Sequence, residues 1–211
     1  MRNLFCIAGL ILMLPVLVIV VLMVLIEDGL PIFFIQKRIG KDQSAFKIIK
    51  IRTLKRDTPN TGTHELDKKN FLMTGKIIRK IKLDEFPQLI NVLKGDINLI
   101  GPRPGLPSQA VLANARESRD IYKIKPGITG LAQVLGYDMS NPETLTEVDK
   151  LYIENKTLIL NSIIFLGELI LILFIAITAL ILNFEQNNFN NPSCVFLCLK
   201  LYANMQIFIK I

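Results

Sequence analysis

Between Leu4 and Ile26 the chain carries no charged side chain, and leucine, isoleucine, valine and methionine dominate the stretch. About 23 residues at roughly 1.5 Å each reach across a hydrocarbon core of about 30 Å, so a helix here is long enough for a membrane. The run exceeds the apolar part of a secretory leader, and no small-residue cleavage site follows it; it is expected to stay as an anchor. Pro15 lies in its middle and cannot donate to the carbonyl of Ile11, which predicts a bend. A bent run suits a helical hairpin that enters and leaves on one face, and a proline is also tolerated in a spanning helix. Both forms are open at this point. Lys37, Arg38, Lys41, Lys47, Lys50, Arg52, Lys55 and Arg56 follow the run, and the positive-inside rule places what comes next in the cytoplasm.

A chain of 211 residues has room for one ordinary domain beside such an anchor. Its net charge of +7 alongside 51% apolar residues fits a polar body facing anionic headgroups or phosphorylated substrates. One histidine, His64, and three cysteines, Cys6, Cys194 and Cys198, offer neither a zinc cluster nor a disulfide framework. No nucleic-acid module or stacking aromatic pattern accompanies the basic residues, so nucleic acid is not an expected partner. No Asp-x-Asp motif and no phosphate-binding Gly-x-x-x-x-Gly-Lys loop occurs.

Residues 31–157 read as a mixed α/β body. Ile32 to Ile35 and Phe46 to Ile51 lean toward strands about a Gly40–Asp42 turn, and the polar stretch Lys55–Asn70 reads as a mobile loop. Ile77, Ile78 and Ile81 mark one face of a basic amphipathic helix, whose Lys76, Arg79, Lys80 and Lys82 suit membrane phosphates. Phe86, Leu89, Ile90 and Leu93 predict a helix that stops at Gly95, with Asp84 placed as its cap and Pro87 in its first turn. Asn141-Pro142-Glu143 opens another, buried along Leu145, Val148 and Tyr152.

Asp84 and Glu85 are adjacent carboxylates at a helix start, where the dipole favours their ionised forms. An ionised, oriented carboxylate can attack phosphorus or hold a divalent cation against a phosphate. Downstream, Gly101-Pro102-Arg103-Pro104-Gly105 stiffens the backbone around one guanidinium suited to phosphate. Pro126-Gly127-Ile128-Thr129-Gly130 can offer backbone N–H groups and a hydroxyl to an anion.

Leu83-Asp84-Glu85-Phe86-Pro87-Gln88 through Gly95-Asp96, running into Leu99-Ile100-Gly101-Pro102-Arg103-Pro104, resembles the signature of the monotopic phosphoglycosyl transferases, the bacterial sugar transferase family. Gln36-Lys37-Arg38-Ile39-Gly40, Lys50-Ile51-Arg52-Thr53, Gly75, Arg79 and Lys125-Pro126 through Gln133-Val134 carry it further, over roughly residues 2–165. The resemblance implies a membrane-associated α/β fold: a re-entrant N-terminal membrane helix (1–30) and a small, helix-rich catalytic domain with amphipathic interfacial helices (31–157). Residues 158–182, interrupted by Asn161 and Glu168, are apolar on nearly all sides where the family usually has amphipathic helices, and read as a second membrane-associated segment that buries more deeply or spans. A tail (183–211) has no assigned role. It implies transfer of a sugar 1-phosphate from a UDP-sugar to polyprenyl (undecaprenyl) phosphate with UMP release, at the inner, cytoplasmic membrane of a bacterium and in contact with its lipids. Such a reaction begins a lipid-linked glycan such as an O-antigen, capsule, exopolysaccharide or glycoprotein glycan. Asp84 would be the nucleophile that takes the sugar phosphate, and Glu85, with Asp84, would hold Mg²⁺. Lys50, Arg103 and Arg52 would hold phosphates, with Thr129 and Gln133 also on the substrate.

The chain departs from the family pattern at four places. Leu14, not serine, precedes Pro15; only Arg2 precedes the apolar run; Lys82, not serine or threonine, precedes Leu83; and Gly136-Tyr137 stands where Gly-Arg is common. These bear on substrate choice more than on reaction class. The other readings are a bare-sugar glycosyltransferase and a scaffold or inactive relative.

Overall fold

The computed structural model describes residues 2–58 and 67–170. His64, the centre of the expected loop, residues 171–182 of the second apolar run and the tail lie outside them.

Helix α1 runs from Arg2 to Asp28 as one helix with Pro15 inside it. Lipid-compatible side chains surround a backbone that satisfies itself, so the missing N–H of one proline leaves the ladder intact on either side. The helix is long and apolar enough to cross a membrane. Yet one stripe of it packs on the polar body along most of its length. Cys6 is buried with Leu89, Val92 and Ile97, and Val20 and Val24 are buried with Ile32, Ile51, Leu72 and Ile78. Its remaining faces stay open, as at Leu12 and Ile26. α1 and the body share two cores.

Strands β1 (Phe33–Ile39) and β2 (Ala45–Ile51) form the expected hairpin, antiparallel with Phe33 opposite Ile51 and Ile39 opposite Ala45. β1 is longer than its apolar start suggested, because Lys37 and Arg38 continue the ladder. Helix α2 (Met73–Lys80) buries Ile78, while Ile77 is exposed, so the anticipated stripe is split. Arg79 does not face headgroups: its Nε donates to Thr53 Oγ1 at 2.7 Å, and its guanidinium lies 5.2 Å from the Phe71 ring centre.

A 3₁₀ turn at Leu83–Glu85 leads into α3 (Gln88–Lys94), which ends at Gly95 in the left-handed region, φ 82°. Pro87, not Asp84, is its first flanking residue, and Asp84 makes no cap bond. Beyond it lie β3 (Asn98–Ile100), α4 (Ala110–Glu117), β4 (Gly127–Thr129) and the short α5 (Leu131–Val134). Helix α6 (Pro142–Glu154) starts as read, with Asn141 accepting from the Thr144 N–H at 3.3 Å and Leu145 and Tyr152 buried. The apolar helix α7 (Leu158–Ile170) closes a further core, burying Ile164 with Val134 and Tyr152.

Strands β3 and β4 pair in parallel, Asn98 with Gly127 and Ile100 with Thr129. That pairing lays the Gly101–Gly105 and Pro126–Gly130 segments side by side. The Gly127 N–H donates to the Pro102 carbonyl at 3.0 Å, so it is engaged in the fold and not offered to an anion as the loop reading supposed.

Candidate active site

Two segments distant in sequence converge on Glu85. Its Oε1 accepts from Lys50 Nζ, at the end of β2, and from Arg103 Nη2, beyond β3, each at 2.6 Å. Asn91 sets β2 against the dyad's helix: fully buried, its side-chain oxygen accepts from the Ile49 N–H at 3.1 Å, and its amide donates to the Lys47 carbonyl at 2.7 Å. Arg103 is held from behind. Arg116 on α4 donates to the Arg103 carbonyl and to Asp149 on α6, each at 2.7 Å, and both members of that ion pair are buried. Arg38 on β1 donates to the Pro104 carbonyl at 3.1 Å and so joins the hairpin to the same loop.

The charges explain how two neighbouring carboxyls come to differ. Burial disfavours ionisation of Glu85, but Arg103 and Lys50 outweigh it, and the carboxyl is held well below the usual carboxylate range. Asp84 is also buried, and that burial pushes it up, Glu85 adding to the effect against Lys50, Arg79 and Arg103. Burial pushes the Lys50 ammonium down to about 8, with Glu85 opposing. Glu85 raises the Arg103 guanidinium. Glu85 is thus committed to cations. Among the described residues, no hydrogen bond or ion pair of the kind that pins Glu85 holds Asp84.

Of the residues expected from sequence, Asp84, Glu85, Lys50 and Arg103 come together. Arg52 does not join them: its guanidinium pairs with the Asp28 carboxylate and donates to the Gly29 carbonyl at 2.6 Å, bracing the end of α1. The Thr129 hydroxyl donates to Glu168 Oε2 at 3.1 Å, and Gln133 Nε2 donates to the Ile128 carbonyl at 3.2 Å. Sequence reading missed Arg38, Asn91, Arg116, Asp149 and Glu168. Arg38 lay inside a quoted motif, and Glu168 was visible as a lone charge in an apolar run. A single arginine on a short helix gave no sign that Arg116 would be buried.

Two carboxylates among phosphate-seeking cations suit phosphoryl transfer. Among the described residues no three His, Cys, Asp or Glu side chains gather into a preformed metal cage. Magnesium is commonly held by one or two carboxylates together with substrate phosphates; Lys50 and Arg103 both bond Glu85 Oε1, so Glu85 Oε2 and the Asp84 carboxylate are the oxygens that could share such an ion.

Comparison with known proteins agrees with this chemistry. An uncharacterized sugar transferase EpsL of Bacillus subtilis is 38% identical over 64% of this chain and 67% of its own length. A UDP-N-acetylgalactosamine-undecaprenyl-phosphate N-acetylgalactosaminephosphotransferase of Aeromonas hydrophila is 34% identical over 71% of this chain and 37% of its own. A UDP-glucose:undecaprenyl-phosphate glucose-1-phosphate transferase of Caulobacter vibrioides is 37% identical over 58% and 47%. The chain thus spans less than half the length of the latter two. The profile of the bacterial sugar transferases matches residues 2–181, nearly the whole sequence, and the chain belongs to that family.

Proposed function

We propose that the chain moves a sugar 1-phosphate from a UDP-sugar to undecaprenyl phosphate, with release of UMP, at the start of a lipid-linked glycan. The observation that carries this is the division of labour in the dyad: Lys50 and Arg103 bond Glu85, while its neighbour Asp84 lies within reach of the same cations without such a bond. The names of the relatives, which specify UDP-sugars and undecaprenyl phosphate, support it. Four cations, Arg38, Lys50, Arg79 and Arg103, act on two carboxylates, Asp84 and Glu85, while Lys82 and Glu168 neutralise each other. The positive excess suits a diphosphate.

In this mechanism an Asp84 oxygen attacks the β-phosphorus of the donor. A bond forms from that oxygen to phosphorus, the bond to the bridging oxygen breaks, and UMP leaves with the electron pair. Arg103 and Lys50 stabilise charge on the transferring phosphoryl oxygens. An oxygen of undecaprenyl phosphate then attacks the same phosphorus and regenerates the Asp84 carboxylate. Mg²⁺, held by Asp84 and Glu85, would offset charge on the diphosphate when bound. The lipid acceptor reaches the site from the side of α1 and α7. Because Cys6 and Val24 near opposite ends of α1 both pack on the body, we take that helix to enter the membrane and keep both ends on the body's side, with the body in the cytoplasm.

The full chain in liposomes with undecaprenyl phosphate, Mg²⁺ and UDP-N-acetylgalactosamine, UDP-glucose or UDP-galactose is expected to release UMP with at least one donor. Asp84→Asn is expected to abolish release and the covalent sugar-phosphate adduct seen by mass spectrometry. UDP as the product would overturn this reading in favour of bare-sugar transfer. No nucleotide release with any donor would point to a scaffold.

A further inference from the structure

Glu168 is the one charged residue between Leu158 and Ile170, and it is 8% exposed. A carboxylate inside an apolar helix is unfavourable unless partners take up its charge and lone pairs. Both of its oxygens have them. Oε1 receives the Lys82 ammonium, and Oε2 accepts from the Thr129 hydroxyl at 3.1 Å.

Those partners belong to the two segments that frame the site. Lys82 opens the turn that carries Asp84 and Glu85, with its backbone in the left-handed region at φ 56°. Thr129 ends β4, whose pairing with β3 places the Arg103 loop. Arg103 also lies within the electrostatic reach of Glu168. One side chain of α7 therefore touches the turn on one oxygen and the strand on the other.

We infer that Glu168 is a positioning residue of the phosphate-transfer site, clasping Lys82 and Thr129 so that the Asp84 turn keeps its place relative to Arg103. The clasp also keeps the Lys82 ammonium away from Asp84, two residues on, where it would compete for the attacking carboxylate. The inference rests on the proposed function, and α7 becomes part of the active site's frame as well as an apolar segment.

The full chain in liposomes, assayed for UMP release with whichever donor the unaltered protein uses, provides the test. Glu168→Gln is expected to lower kcat about tenfold or more, with the donor KM little changed, as misplacement of a reacting group does. The double variant Lys82→Gln with Glu168→Gln is expected to recover part of that loss, because the freed ammonium is gone. Amide hydrogen exchange is expected to quicken in Glu168→Gln at residues 83–86 and 128–130. An unchanged kcat, a kcat loss matched by loss of folded protein, or a double variant worse than Glu168→Gln would overturn the inference. If the unaltered protein releases no nucleotide, the proposed function fails by itself; exchange then decides the clasp, and unchanged rates at both segments would overturn it.

Discussion

Asp84 and Glu85 differ by one position in the chain and by which cations they meet. Glu85 faces Lys50 and Arg103 directly, and the two cations hold its carboxyl ionised against the cost of burial. Lys50 is the weak member, because burial brings its ammonium down to about 8. Once neutral it neither pairs with Glu85 nor attracts an anionic donor, so kcat/KM is expected to fall as pH rises through about 8. Stability should move the other way. The unfolded lysine titrates near ~10.4, and between the two values the unfolded chain binds the extra proton, so folding gains as pH rises through that window. Lys50→Arg should remove the alkaline fall in kcat/KM, since a guanidinium keeps its proton. A pH–rate profile beside unfolding curves at pH 7, 8.5 and 10 checks both signs. The acidic pair and its two cations were readable from sequence as residue types; that Arg52 would turn to Asp28 was not, because nothing local distinguishes it from Lys50 two positions earlier.

At the scale of elements, the close contact between β3 and β4 governs the site. A side chain on Gly127 would overlap the Gly101 backbone nitrogen and come within 2.6 Å of the Ile100 carbonyl carbon. Backbone cannot yield as a flexible side chain can. Gly127→Ala is therefore expected to part the strands, lower stability by roughly 1–3 kcal/mol and shift Arg103, so that activity falls more than folding does. Denaturant unfolding alongside UMP release measures the difference. Helices α3 and α6 were visible in advance because their apolar spacing spans two or more turns and their ends carry Gly95 and Asn141. The hairpin was visible through its turn. Strands of three residues each, separated by more than twenty residues, leave no periodic trace, so the pairing that brings the two loops together was hidden. Asp84 was taken for a cap on the same local evidence; long-range burial by β2 and Arg103 decided its surroundings instead.

Across the whole molecule, the apolar segments at either end of the body complete its interior. α1 supplies Cys6 to one core and Val20 with Val24 to another, and α7 supplies Ile164 to a third. If α1 keeps both ends on the body's side, cysteines placed at Asn3 and Leu30 in a cysteine-free background should react with a charged thiol reagent from the same side of sealed vesicles. Reaction from opposite sides would require α1 to leave the body at one end. The run's length and apolarity were plain in the sequence, whereas its packing was not, since a stripe of valine and cysteine looks the same to lipid as to protein. The shared cores also impose an order of assembly. α1 leaves the ribosome before Leu72, Leu89 or Ile97 has been made, so the later residues condense onto a helix that is already there. A fragment starting at the hairpin would emerge with two open seams where α1 belongs, wet on faces meant to be dry, and its natural fate is to stick to detergent or to itself.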